Sequence, residues 1–122
     1  MHISITRASS PRSLTQYKEF GFGDIFSDHM LLIDYTAGEG WHNPRIEPYR
    51  ALPFEPAAMV FHYAQAVFEG LKCFRSADGS ILIFRPWEYA RRLVSSCERL
   101  CIPPVDADLT VHCIRELVKV DS

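Results

Sequence analysis

Side chains able to do chemistry concentrate in two places in this sequence. The first is the run Phe61-His62-Tyr63-Ala64-Gln65-Ala66-Val67-Phe68-Glu69-Gly70-Leu71-Lys72, which mixes aromatic rings with an imidazole, a carboxylate and an amine. Phe61, Ala64, Val67 and Phe68 fall close to one helical face, and aromatics at that spacing ordinarily pack a core. Read from the residues alone, this is a short helix over 61–71, ended by Gly70, that serves as core with polar edges or as a site. The second place holds Glu88, Arg91, Arg92, Ser95, Ser96 and Arg99, on the polar side of a helix that begins at Pro86. A solvated face with a Glu88 to Arg92 pair explains it. So does a cleft, where an arginine fork suits a phosphate better than a lysine does. Periodicity leaves both readings open.

Other familiar chemistries find little support. There is no Gly-rich phosphate loop after a strand, no His-Glu-x-x-His and no Gly-x-Ser-x-Gly. Cys97 and Cys101 are one helical turn apart, with His112 and Cys113 downstream, but the paired short spacings of a structural zinc site are missing and no metal is expected. The four cysteines are expected to be reduced and mostly buried.

Composition sets the frame. At 122 residues, 48% hydrophobic and 23% charged, the chain suits one ordinary globular domain. A net charge of -2 with both signs interspersed gives no basic stripe for nucleic acid. Apolar runs such as 30–33 and 81–84 are far shorter than the roughly 20 residues of a membrane-spanning helix. Residues 1–18 carry Arg7, Arg12 and Lys18 with several serines and no acid but lack an amphipathic face, so a cytoplasmic protein is expected, with a mitochondrial one as the alternative.

The elements that must position these groups follow from pattern. Residues 1–21 read as an extended arm that needs a partner surface, leading into a loop at Gly21 and Gly23. Residues 29–35 form a short apolar run before Gly38 and Gly40, which predicts a buried strand. From 41 to 56 the prolines at 44, 48, 53 and 56 predict a meandering loop with at most one short strand. Residues 72–75 and 81–84 flank Asp78-Gly79 and predict a hairpin. Pro86 opens a helix whose apolar positions are Trp87, Ala90, Val94, Cys97 and Cys101; Pro103 and Pro104 stop it. Asp106 then caps a last helix with Leu109, Cys113, Leu117 and Val120 on its apolar stripe. The result is an α+β, two-layer domain over 22–122, with a mainly antiparallel sheet covered by helices.

Taken in order, Phe22-Gly23-Asp24-Ile25-Phe26-Ser27-Asp28-His29-Met30, Gly40-Trp41-His42-Asn43-Pro44-Arg45-Ile46, the 62–72 run and Leu82-Ile83-Phe84-Arg85-Pro86 resemble the branched-chain amino acid aminotransferases. The resemblance runs from about Ile3 to Val120 and implies the small N-terminal domain of a fold-type IV pyridoxal-phosphate enzyme. By it, Arg92 matches the arginine that grips the cofactor phosphate. Phe22, Tyr63 and Phe68 match aromatics of the substrate pocket, the tyrosine reaching toward a neighbouring subunit. The implied reaction moves the amino group of Leu, Ile or Val to 2-oxoglutarate in a homodimer. The Schiff-base lysine of the family matches neither Lys18 nor Lys72 and is expected beyond residue 122, in a C-terminal domain, so no catalytic residue is assigned here. The chain alone is expected to be inactive, with weak cofactor binding at most. Two other readings stand beside this one. One is a naturally short, non-catalytic binding or assembly module. The other is a D-amino acid aminotransferase or 4-amino-4-deoxychorismate lyase, relatives that usually lack the long 41–56 segment.

Overall fold

The computed structural model describes residues 2–12 and 21–122; Lys18 and much of the expected arm lie outside the described residues. Along the chain run β1 (Ser4–Ile5), β2 (His29–Thr36), β3 (Gly40–Pro48), α1 (Met59–Tyr63), β4 (Cys73–Arg75), β5 (Ile81–Ile83), α2 (Pro86–Arg99) and α3 (Ala107–Val120). The fold is α+β, and no helix among the described residues is long and apolar enough to cross a membrane. The chain divides into two units, Met1–Leu52 with Cys113–Ser122, and Pro53–His112.

The first unit holds a three-stranded sheet in the order β1-β3-β2, with β1 parallel and β2 antiparallel to β3. The apolar run at 29–35 becomes β2 as predicted. The segment predicted as a loop with at most one short strand is more regular than that: its first half is β3, the longest described strand and the middle of the sheet. Its prolines are tolerated for local reasons. Pro48 is the last residue of the strand, and Pro44 sits at an irregularity where pairing jumps from Leu32↔Arg45 to Asp34↔His42. Asn43 and Pro44 thus share the place opposite Ile33, and Asn43 takes a left-handed backbone (φ 52). This is a β-bulge, where a missing N–H costs no ladder bond and Asn accepts a positive φ better than most residues.

The bulge also explains why the strand is hard to read. Residues directly opposite share a face, so Leu31 with Ile46 and Tyr35 with Trp41 lie on one side. Leu32 with Arg45 and Asp34 with His42 lie on the other. Trp41 and Ile46 therefore share a face although strict alternation would separate them. Ile46 is the best buried side chain of the sheet, 1% exposed. The opposite face carries charge: Arg45 Nη1 donates to Asp34 Oδ2 (2.7 Å) and Asn43 Nδ2 to the same oxygen (2.9 Å). Asn43 first, then Arg45, hold the Asp34 carboxyl below its usual range.

In the second unit, β4 and β5 form the predicted hairpin, paired Cys73↔Ile83, Phe74↔Leu82 and Arg75↔Ile81. The Gly79 N–H donates to Ser76 O (3.0 Å) and the Ser76 N–H to Ser80 O (2.9 Å), with Gly79 at φ 85. That is a tight turn closed by a left-handed glycine. Helix α2 starts with Pro86 at its first position, as predicted. Asp106 caps α3, its Oδ1 accepting the Leu109 N–H at 2.9 Å. The helix predicted over 61–71 is a correction. Only Met59–Tyr63 is helical, it buries no residue, and the next residue, Ala64, turns left-handed (φ 49). A helix of five residues with no side-chain cap and no buried face has nothing to extend it. The aromatics of 61–68 consequently are not a core stripe.

Candidate functional site

Within the second unit, Arg92 projects from the middle of α2, with its side chain 63% exposed. The Glu88 to Arg92 pair read from the sequence does not form. Glu88 instead accepts from Arg91 Nη1 (2.8 Å), and Arg92 turns to Glu69, 23 residues earlier. Arg92 Nε donates to Glu69 Oε2 at 2.6 Å and Arg92 Nη2 donates to Glu69 Oε1. Two parallel bonds between a guanidinium and a carboxylate fix both orientation and distance. The Glu69 side chain is 12% exposed, and its Oε1 also accepts the Gly70 N–H (2.8 Å). The guanidinium carbon of Arg92 lies 5.1 Å from the centroid of the Tyr89 ring, one helical turn's neighbour on α2. The Arg92 hydrogen bond draws the Glu69 carboxyl below its ordinary range, and Glu69 in turn raises Arg92. Both are charged throughout the physiological range.

Arg92, but not Glu69, borders a hollow of about 580 Å³ that is also lined by Phe84, Arg85, Glu88, Tyr89, Arg91 and Ser95. The polar face of α2 is therefore the wall of a depression, with three guanidinium groups along it. The other predicted site residues stand out for their exposure. Tyr63, the last residue of α1, is 77% exposed and Phe68, in the irregular stretch before Glu69, is 78% exposed. The Phe68 ring lies 3.6 Å from where a Cβ on Gly70 would be, a contact that keeps the ring against the backbone of the same loop. The structure brings Phe68, Glu69 and Arg92 into one neighbourhood of the second unit through the Phe68–Gly70 loop. Phe22 belongs to the first unit, where it is 95% exposed.

Glu69 and Tyr89 are the groups sequence reasoning passed over as partners of Arg92. Glu69 lies beside the predicted pocket aromatic Phe68, but no helical or strand period connects position 69 to position 92. Cys97 and Cys113 are buried, and burial raises both thiols; Cys73 and Cys101 are exposed, so only half of the cysteines are inside. Among the described residues, no three His, Cys, Asp or Glu side chains gather as metal ligands.

The first unit offers a second arrangement that resembles catalytic geometry. His29, 6% exposed, places Nδ1 2.6 Å from Asp121 Oδ1, while its Nε2 accepts the Ala8 N–H at 2.8 Å. An acceptor Nε2 fixes the tautomer, so Nδ1 carries the proton and donates to Asp121. With its one lone pair on a backbone amide, this imidazole ties chain segments together and is no general base.

No protein-family model matches the chain. Comparison with characterised proteins does find relatives. The chain is 50% identical over 102 residues to the branched-chain-amino-acid transaminase 1 of Bacillus subtilis, which covers 84% of this chain and 29% of that protein. It is 42% identical over 122 residues to the branched-chain-amino-acid aminotransferase 2 of the same organism, covering 100% of this chain and 33% of that one. With the branched-chain-amino-acid aminotransferase of Mycobacterium tuberculosis it shares 45% identity over 126 aligned residues, 100% of this chain and 34% of that protein. The chain thus spans about a third of the length of these relatives.

Proposed function

We propose, on the premise that this chain is homologous along its whole length to part of the branched-chain-amino-acid aminotransferases, that it supplies the phosphate grip and pocket walls of a pyridoxal-phosphate transaminase. The reaction is transfer of the amino group of Leu, Ile or Val to 2-oxoglutarate, giving glutamate and a branched 2-oxo acid. Pyridoxal phosphate, when bound, supplies the electron sink that lets the amino group change carbon skeletons. The residues present fit that group. Arg92 uses its Nε/Nη2 edge on Glu69, and a planar guanidinium has a second edge, Nη1/Nη2, that can take two phosphate oxygens. Its exposure and the surrounding hollow leave space for a phosphate.

Phe22, Tyr63 and Phe68 act in this reading as walls against the substrate side chain. Methyl groups offer only area and shape to recognise, so broad rigid rings suit Leu, Ile and Val. Such exposed aromatics are also the expected mark of a surface completed by other protein, here the rest of the subunit and a second subunit of a homodimer. Among the lysines, Lys72 precedes β4 and Lys119 is paired to Glu116 at 2.5 Å. Neither Lys72 nor Lys18 matches the cofactor lysine of the family, and the chain by itself is expected to form no glutamate.

The single observation that carries the reading is Arg92, oriented by two bonds beside an open hollow. Its test is Arg92→Ala in the full-length polypeptide that carries this chain. Cofactor affinity is expected to fall about 100-fold, the loss of a pair of charge-assisted hydrogen bonds. Glutamate production from leucine and 2-oxoglutarate should fall with it and return in part at high cofactor. Unchanged cofactor affinity in that variant, or glutamate made by the 122-residue chain alone, would overturn the reading.

A further inference from the structure

Arg92 is a long side chain on an exposed helix face, and left to itself it would sample many rotamers. Three contacts prevent that. Glu69 takes Nε and Nη2 together, Gly70 donates its N–H to the same carboxylate, and the Tyr89 ring lies beneath the guanidinium. The anchor is the better buried partner, at 12% side-chain exposure against 63% for the arginine. Because the arginine itself holds the Glu69 carboxyl below the usual range, the anchor stays ionised wherever the enzyme works. The chosen edge also matters. With Glu69 on Nε/Nη2, the adjacent Nη1/Nη2 edge keeps donors for a second anion.

We infer that Glu69 is the positioning residue for the phosphate site: it holds the Arg92 guanidinium by one edge and presents the other to the phosphate. This rests on the proposed role of Arg92. The Glu69–Arg92 pair is neutral as a whole, so Arg92 contributes to the site through fixed donors. Preorganised donors bind better than mobile ones because the ordering cost is met before the ligand arrives. Glu69 touches neither substrate nor the reacting atoms and acts through Arg92.

The experiment uses the full-length enzyme and two probes, pyridoxal phosphate and pyridoxal, which lacks the phosphate. Glu69→Gln preserves shape and one acceptor, while Glu69→Ala removes both. Binding is followed by the change in protein fluorescence on titration, with circular dichroism on each variant. Affinity for pyridoxal phosphate is expected to fall about tenfold in Glu69→Gln and further in Glu69→Ala. Affinity for pyridoxal should stay unchanged. In an Arg92→Lys background, which cannot offer two edges, Glu69→Gln should have no further effect.

Equal loss with both probes would mean that Glu69 only supports the fold, and overturns the inference. Unchanged or tighter binding of pyridoxal phosphate in Glu69→Gln would mean that the carboxylate competes with the phosphate, and also overturns it. If Arg92→Lys weakens phosphate-dependent binding while the Glu69 variants do not, only this inference fails. If Arg92→Lys has no effect either, the proposed role of Arg92 fails with it.

Discussion

In the unit of Met1–Leu52 and Cys113–Ser122, polar groups bond mostly to one another and to the backbone. His29 joins Ala8 to Asp121, Arg12 holds Asp28, and the charged face of the sheet pairs Arg45 with Asp34. In the unit of Pro53–His112 the largest side chains instead stand outward. Phe54, Phe61, Tyr63, Phe68, Phe74 and Phe84 are all exposed, and the buried positions are the small or medium residues Pro86, Ala90, Cys97 and Val111. The contrast separates two uses of sequence. One region, Phe22 apart, employs its polar side chains largely to hold its own backbone, and the other leaves most of its large aromatic rings exposed.

Substitutions at matched apolar residues give the widest separation. Ile46→Ala, in the middle strand, is expected to destabilise by about 3 kcal/mol, from lost burial plus a cavity. Phe68→Ala removes a larger ring yet should cost under about 0.5 kcal/mol, because that ring is already in water. Chemical denaturation of the two variants measures the difference; equal costs would dissolve the contrast between the units.

The polar tie at His29 should matter next. Replacing it with Phe strips Asp121 and the Ala8 N–H of their partner, at about 1–3 kcal/mol. Hydrogen exchange at the Ala8 amide should accelerate in that variant more than exchange in α2, and uniform acceleration would argue against a local tie.

The smallest effect belongs to the turn of the hairpin. Ser76 Oγ, the Ser80 N–H and Ser80 Oγ all donate to Asp78, which lowers its pKa from 3.8 to about 2. A pKa depressed in the folded state gives stability that is present above 3.8 and is lost as pH falls toward about 2. Asp78→Asn should flatten the acid limb by lowering stability slightly above pH 3.8 while leaving stability near pH 2 unchanged. Carbon NMR of the Asp78 carboxyl checks the titration directly, and a midpoint near 4 would remove the premise.

What could be read in advance follows the same division. β2, the hairpin, α2 and α3 were legible because local devices mark them: the apolar run at 29–35, Asp78-Gly79, Pro86 and Asp106. β3 was hidden by its prolines and by a bulge that breaks alternation at Asn43 and Pro44. The aromatics at 61–68 imitate a helical face, yet Ala64 turns left-handed and no burial rewards a helix there. Arg92 was identified through resemblance to a family, since periodicity allowed both a wet face and a cleft. Its bond to Glu69 spans 23 residues and an irregular loop, a distance over which no local pattern reports.

The bulge opposite Ile33 works like a frame shift within the strand. Its extra residue is what carries Ile46 to the apolar side with Trp41 and sends Arg45 and Glu47 to the charged side. Deleting Asn43 would restore ordinary alternation and, by doing so, exchange the two faces from Arg45 onward. The exposed turn at 76–80 can change length without moving any buried group, whereas between Trp41 and Ile46 the number of residues is itself structural information. Insertions and deletions in related sequences should therefore gather at the first place and avoid the second, even where the residues themselves change freely.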